Sequence, residues 1–346
     1  MARPFSSPTL ADVGRSVGVS AATASMALRG DPRISASTRA RVHQAAKKLH
    51  YVPDPMLAAL VARRDRDHKR QTFANIAALL DDRWLPDKSG WIDALFGGMR
   101  ETCTRLGYNL DVINIQRELH LSPHPDRFLT GRGVRGILIL PLHTQPLQLK
   151  LQWDRYAIVS IGTPLDQIPS HRTGSDTFAA MSLVCAKLKS FGYRRVGLVN
   201  AISNERRTRF EWLGSLCKES IIDPTFVTVP PHMPEILTPE NLEAWVTEHK
   251  PECIITNDFQ VYDFLAKRGW KIPRDIGIAS LSRNYPAMQH LSGISQHLDS
   301  TGQAAVEQLH NMLLRGETGF PAIPREIMTT PHWHQGNSTR RLRKKA

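Results

Sequence analysis

Between Ser20 and Leu28 the chain places Ala21, Ala22, Thr23, Ala24, Ser25, Met26 and Ala27 in succession, small side chains opening on a hydroxyl. Small residues let a helix sit deep in a DNA major groove. There Ser and Thr hydroxyls bond phosphates or base edges, and an Ala methyl packs on a thymine methyl. Ser20 suits the N-cap of such a helix, and Gly18-Val19 separates it from the helical spacing of Leu10, Val13 and Val17. The pattern predicts a short helix, a tight glycine turn and a second helix ended by Gly30-Asp31-Pro32. A third helix is predicted from Ser35, with Val42, Ala45, Ala46 and Leu49 as its apolar stripe and Arg39, Arg41, Lys47 and Lys48 on its other face.

Catalytic and metal-binding patterns are poorly represented. The sequence has no P-loop ending in Lys-Ser/Thr and no G-x-S-x-G. Its histidines are scattered, and His332-Trp333-His334 is expected at the surface rather than at a metal. Cys103, Cys185, Cys217 and Cys253 form no C-x-x-C pair and read as free thiols in a reducing compartment. No enzymatic activity, cofactor or metal is expected; a carbohydrate-processing enzyme with an accessory DNA-binding head is the alternative these absences disfavour.

Charge divides the chain in the same way. Residues 1–70 carry 13 Lys and Arg against 5 Asp, residues 339–346 add five basic residues, and residues 71–338 balance at 27 of each sign, so the two ends account for the whole formal charge of +13. A basic head on a neutral body is the layout of a DNA-binding module attached to something else. No apolar run reaches the ~18–20 residues of a membrane span, and the first residues lack the apolar core of a signal peptide. A cytoplasmic location is expected.

The elements that must position this chemistry follow from periodicity. In the body, apolar runs at 74–80, 109–113, 136–140, 157–161, 196–199, 253–256 and 276–279 read as strands. Helices fit near 90–106, 175–191, 206–220, 238–248, 258–268 and 299–315. Continuous apolar strands alternating with helices imply parallel sheets covered on both faces, and two such series imply two α/β lobes. Ligands of such folds sit at the carboxyl ends of the strands.

Thr9-Leu10-Ala11-Asp12-Val13, Val17-Gly18-Val19-Ser20, Thr23-Ala24-Ser25, Ile34-Ser35 with Thr38-Arg39, and Leu49-His50-Tyr51-Val52-Pro53 resemble, in order and spacing, the head of the LacI/GalR repressor family. Looser landmarks continue the likeness: Leu106-Gly107-Tyr108, Val134-Arg135-Gly136-Ile137, Gly192-Tyr193-Arg194-Arg195-Val196-Gly197, Ile272-Pro273-Arg274-Asp275-Ile276-Gly277 and Ile294-Ser295-Gln296. The resemblance implies an all-α helix-turn-helix head at 1–53 and a hinge helix with basic linker at 54–70. It further implies a two-lobed, periplasmic-binding-protein-like sensor and dimerisation domain at 71–335, with a basic tail at 336–346 expected to be disordered. The implied partners are operator DNA, a second copy of the chain and a small-molecule effector related to a sugar.

Carried over residue by residue, the resemblance implies that Thr9, Leu10, Ser20, Thr23, Ser25, Ser35, Thr38 and Tyr51 approach the DNA backbone, while Ala21, Ala22 and Met26 face bases. Many relatives carry a polar or basic residue at the position of Met26, so readout here rests more on methyl contacts, Arg29 and DNA shape. Leu57 and Leu60 fall in the hinge helix, Leu60 at the position of the leucine that wedges into the minor groove. In the sensor, Asp82 and Trp84 follow the first strand at the mouth between lobes, where Trp84 either stacks on a sugar or belongs to the core. Asp258 either caps a helix or meets ligand.

The resemblance also shows two departures. Glu211 stands where sugar-binding relatives carry an Arg, with Arg206, Arg207 and Arg209 just before it, and Ser282-Arg283-Asn284 replaces an acidic turn. A lost acid and a gained Arg favour an anionic effector, unless Arg283 only faces water.

If Leu60 is a wedge, Leu60→Ala loses operator bending and specific affinity worth roughly a few kcal/mol, with nonspecific binding retained. Fluorescence transfer across a doubly labelled operator reads this, and equal bending by both proteins returns Leu60 to ordinary packing.

Overall fold

A computed structural model describes residues 8–28, 31, 33–49, 51, 74–82, 90–142, 149–162 and 168–342. Arg29, Leu57, Leu60 and Trp84 lie outside the described residues. By its contacts the chain separates into two compact units, residues 1–72 and 73–346.

Among its described residues the first unit has three helices, α1 (Leu10–Val17), α2 (Ala21–Leu28) and α3 (Ala36–Lys48). Each begins on a hydroxyl: Thr9 forms a reciprocal capping box with Asp12, Ser20 Oγ accepts the Thr23 N–H at 3.0 Å, and Ser35 Oγ accepts the Thr38 N–H at 3.2 Å. The α1–α2 turn depends on two glycines. Gly18 adopts φ +73°, and a Cβ on Gly14 would lie 2.7 Å from the Val19 carbonyl oxygen. Val13, Ala24, Ala27, Val42, Ala45 and Ala46 form the buried centre, small enough for the three helices to approach closely.

The second unit contains two six-stranded sheets. The first comprises β1 (Asn75–Leu80), β2 (Asn109–Asn114), β3 (Val134–Ile139), β4 (Ala157–Ile161), β5 (His171–Ser175) and β11 (Glu326–Thr329), in the order β11-β5-β4-β3-β1-β2 with all pairs parallel. The second comprises β6 (Arg195–Val199), β7 (Val227–Thr228), β8 (Cys253–Thr256), β9 (Gly277–Ser280), β10 (Ser292–Ser295) and β12 (His332–His334), in the order β12-β10-β9-β8-β6-β7. Only β12 is antiparallel there. Each lobe thus repeats a doubly wound α/β arrangement, with its strand order reversing next to its first strand. Separate apolar clusters fill the two faces of each sheet, which explains the unbroken apolar runs of the strands.

Helices α4 (Gly90–Leu106) and α11 (Leu298–Arg315) cover one face of the first sheet and cross at glycine contacts, and the short α5 (Pro125–Gly131) precedes β3. A Cβ on Gly98 would run into the Asp299 carbonyl, and one on Gly302 into the Leu95 carbonyl. Helix α6 (Thr177–Ser190) packs on the second sheet beside α8 (Glu211–Ile222), which the short α7 (Ile202–Arg207) precedes; α9 (Pro239–His249) and α10 (Gln260–Lys267) cover the opposite face. Among the described residues no helix is long and apolar enough to cross a membrane.

The chain passes between the lobes three times, after β5, after β10 and after β11, and the crossings are tied together. Ser175 Oγ donates to the Gln296 carbonyl at 2.8 Å, the Asp176 N–H donates to the Thr329 carbonyl at 3.1 Å, and Thr329 Oγ1 lies 3.2 Å from the Gln296 carbonyl. His297 and His332 bond ring to ring at 2.9 Å.

The expected disordered tail is corrected over residues 336–342. Ser338 is fully buried, its Oγ donating to the Ile278 carbonyl at 2.6 Å and accepting the Ser292 N–H at 2.8 Å. The Arg340 N–H reaches the Tyr193 hydroxyl at 3.1 Å, and Leu342 packs on the cluster around Tyr193. Basic composition concealed a segment whose backbone completes the exposed end of the second lobe. His332 and His334 are exposed as expected, but Trp333 between them packs into that same cluster.

The glycine crossing generates a test. Gly302→Ala should cost about 1–3 kcal/mol through overpacking, read as a lower midpoint in thermal unfolding. An unchanged midpoint would show that α4 and α11 have room to part.

Candidate functional site

In the head, Ala21 and Ala22 are exposed at the start of α2, while Thr23, Ser25 and Met26 are half-buried. Thr9, Ser20 and Ser35 use their hydroxyls as caps, and Thr38 accepts a bond from Ser35 Oγ at 2.9 Å. These hydroxyls therefore hold helix N-termini, the ends that attract anions such as phosphates. Leu10 and Tyr51 pack against the head's core. Met26 Sδ lies 3.7 Å from the Arg33 guanidinium, which pairs with Asp31 at 2.7 Å. The helix offers methyls and hydroxyls but no cation.

In the second unit a cavity of about 60 Å³ opens where the crossings meet. Ile161, Gly162, Arg172 and Gly174 line it from the first lobe, and Arg207, Glu211, Trp212, Asn257 and Tyr285 from the second, with Gln296 and Leu298 from a crossing. Gly162 and Asn257 lie just beyond the carboxyl ends of β4 and β8, as expected for parallel α/β lobes. Tyr285 packs against the apolar cores of both lobes. Burial raises its phenol pKa, against a smaller opposing effect of Arg207.

The charged groups of the cavity differ in how they are satisfied. Arg172 makes a two-pronged pair with Glu326, at 3.0 and 2.5 Å, and is nearly buried. Glu211 accepts a bond from the Thr177 hydroxyl. The Arg207 Nε, the Trp212 Nε1 and the Asn257 Oδ1 are buried and meet no hydrogen-bond partner.

Of the six residues proposed from sequence for the effector, only Arg207 lines this cavity among the described residues. Arg209 is exposed with φ +54°, and Arg283 donates to the Gln289 carbonyl away from the cavity, so neither of these two supplies its charge. Asp82 pairs with Arg117 at 2.9 Å. Asp258 accepts the Gln260 N–H at 2.8 Å at the start of α10, and burial raises its pKa. Sequence reasoning missed Arg172 and Tyr285: the first stands in a polar strand without an apolar signature, and the second lies in a loop.

The model for bacterial regulatory proteins of the lacI family matches residues 9–54, and that for a periplasmic binding protein-like domain matches residues 185–339. The chain thus joins a lacI-type head to a periplasmic binding protein-like domain. It is a DNA-binding transcriptional regulator. The HTH-type transcriptional regulator PtxS of Pseudomonas putida is 25% identical over 327 residues, spanning 90% of this chain and 91% of that protein. Among solved structures, the transcriptional regulator CelR–cellobiose complex has TM-score 0.58 at 18% identity, covering 96% of this chain and 99% of that one. The Lac repressor dimer bound to operator and the anti-inducer ONPF has TM-score 0.55 at 17% identity, with the same coverage. At these identities the structural likeness is one of fold.

Two residues before Arg207 lies Glu205, with no exposed surface. It accepts the Asn200 amide at 2.7 Å and the Leu213 N–H at 3.4 Å, linking α7 to the start of α8. Desolvation raises its pKa above the usual glutamate value, only partly offset by these bonds. The folded state therefore holds the proton more tightly than the unfolded state. The contribution to stability is full below the ordinary value near 4.5 and is lost as pH rises through the folded value. Glu205→Gln keeps an acceptor for Asn200 and should flatten the fall in unfolding temperature on that side of pH 4.5. An identical pH slope in both proteins would show that Glu205 titrates normally.

Proposed function

We propose that the chain is a homodimeric repressor, acting in the cytoplasm, that binds a pseudo-palindromic operator through two heads. Its operator affinity changes when a carbohydrate-related small molecule occupies the inter-lobe cavity. The observation that carries the reading is the cavity's position at the three crossings: a ligand there touches both lobes and biases how they sit. A CelR–cellobiose complex and a Lac repressor dimer bound to operator, both of this fold, support it.

In this reading Ala21, Ala22 and Met26 meet base edges, and Thr9, Leu10, Ser20, Thr23, Ser25, Ser35, Thr38 and Tyr51 follow the phosphates. Arg29 adds charge beside them, and Leu57 and Leu60 belong to a hinge helix in the minor groove. With no cation on α2, most affinity comes from phosphate contacts. Full-length protein should bind its operator as a dimer and lose roughly a thousandfold or more in affinity between about 50 and 200 mM salt. Fluorescence anisotropy at graded salt measures this, and an affinity nearly independent of salt would contradict the reading.

A further inference from the structure

We propose that the effector is a hydroxy acid, with its carboxylate held by the Arg207 guanidinium and the Trp212 indole N–H and a hydroxyl held by Asn257. The proposal rests on the reading of the inter-lobe cavity as the effector site and specifies the chemistry of that site.

The cavity holds two guanidinium groups in unequal states. Arg172 is neutralised by Glu326 through two bonds. Arg207 has no carboxylate within ion-pair distance among the described residues, and its contact with Asn204 Oδ1 is long, at 3.5 Å. Its Nε is buried without an acceptor. Glu211 lines the same cavity and keeps its charge while accepting from the Thr177 hydroxyl, but among the described residues no ion pair joins it to Arg207. Burial lowers the Arg207 pKa, the effect expected of a cation removed from water without compensation.

Arg207 is half-buried, but its Nε is sealed from water without an acceptor, a cost that a neutral hydroxyl offsets only in part. A carboxylate removes it, since two oxygens accept from the guanidinium and a second donor at once. That second donor is the Trp212 Nε1, which is 1% exposed and also without a partner. Asn257 is 7% exposed, and its orphaned Oδ1 is an acceptor, the complement of a ligand hydroxyl. The cavity of about 60 Å³ is large enough for a small anionic group, and the planar fork of a guanidinium beside one further N–H matches the two oxygens of a carboxylate. Sugar acids are the carbohydrate-related members of this class.

The test uses full-length protein and Arg207→Met, which retains the aliphatic length without the charge. Unfolding temperatures are measured alone and with gluconate, glucuronate, glucose, sorbitol or glucose 6-phosphate, and operator binding is measured in parallel. At least one of the two acids should stabilise the wild type, with titration showing at least about tenfold weaker binding to Arg207→Met, the scale of a lost charged hydrogen bond. Without ligand, Arg207→Met should unfold at the same or a higher temperature, because a cation with a sealed, unmet N–H and no ion-pair partner has been removed. A lower ligand-free midpoint would show that Arg207 is already satisfied. Stabilisation by glucose, sorbitol or the phosphate but by neither acid, or by none of the five, would overturn the proposal while leaving the regulator reading intact. Failure of the wild type to bind operator DNA would overturn that reading instead.

Discussion

Three chain crossings, bonded to one another through Ser175, Asp176, Gln296 and Thr329, set how the two lobes of the sensor can move. A single connection would leave the lobes free to rotate in any direction. Three adjacent, cross-linked connections restrict them to bending about the crossings. The cavity lies against those crossings, and Tyr285 reaches from the second lobe into the core of the first. Anything bound there acts on the bend itself.

Its size gives that motion a direction. Sites for sugar-sized ligands commonly enclose roughly 300 Å³ or more, several times the cavity of about 60 Å³ described here. For the proposed sugar acid to bind there whole, the lobes must adjust around it. A ligand shifts such an equilibrium only by its differential affinity for the two arrangements. An uncompensated Arg207 supplies one source of that difference, since its environment changes sharply on meeting an anion.

Much of the architecture was legible from the chain alone. The strands at 157–161 and 253–256 and the helix at 90–106 have the predicted bounds, because strands buried on both faces must be uniformly apolar and long helices keep their period. β5 escaped notice for the opposite reason: His171-Arg172-Thr173 is polar, and it is buried because Arg172 meets Glu326 and the His171 ring accepts the Arg325 N–H. Those partners are 154 residues away in sequence, so no local pattern reveals them. Ser338 is the same case, a polar residue in a basic tail whose partners lie on β9 and β10. Arg207 and Arg283 were equal candidates by sequence. The first, at the C-terminal end of α7, lines the cavity, while the second donates to a local carbonyl away from it. In the head the small residues of α2 were informative, since burial of Ala24 and Ala27 against α1 and α3 leaves Ala21 and Ala22 on the open side.

The central claim is that occupancy of the inter-lobe cavity and occupancy of the operator are one linked equilibrium. It is tested most directly by titrating labelled operator with full-length protein, with and without saturating amounts of whichever sugar acid binds, and titrating that acid with and without operator. The account predicts that the two affinities change by the same factor, roughly 5–150-fold, and that Arg207→Met abolishes the effect while still binding operator. An acid that binds tightly in the cavity yet leaves operator affinity unchanged would contradict it.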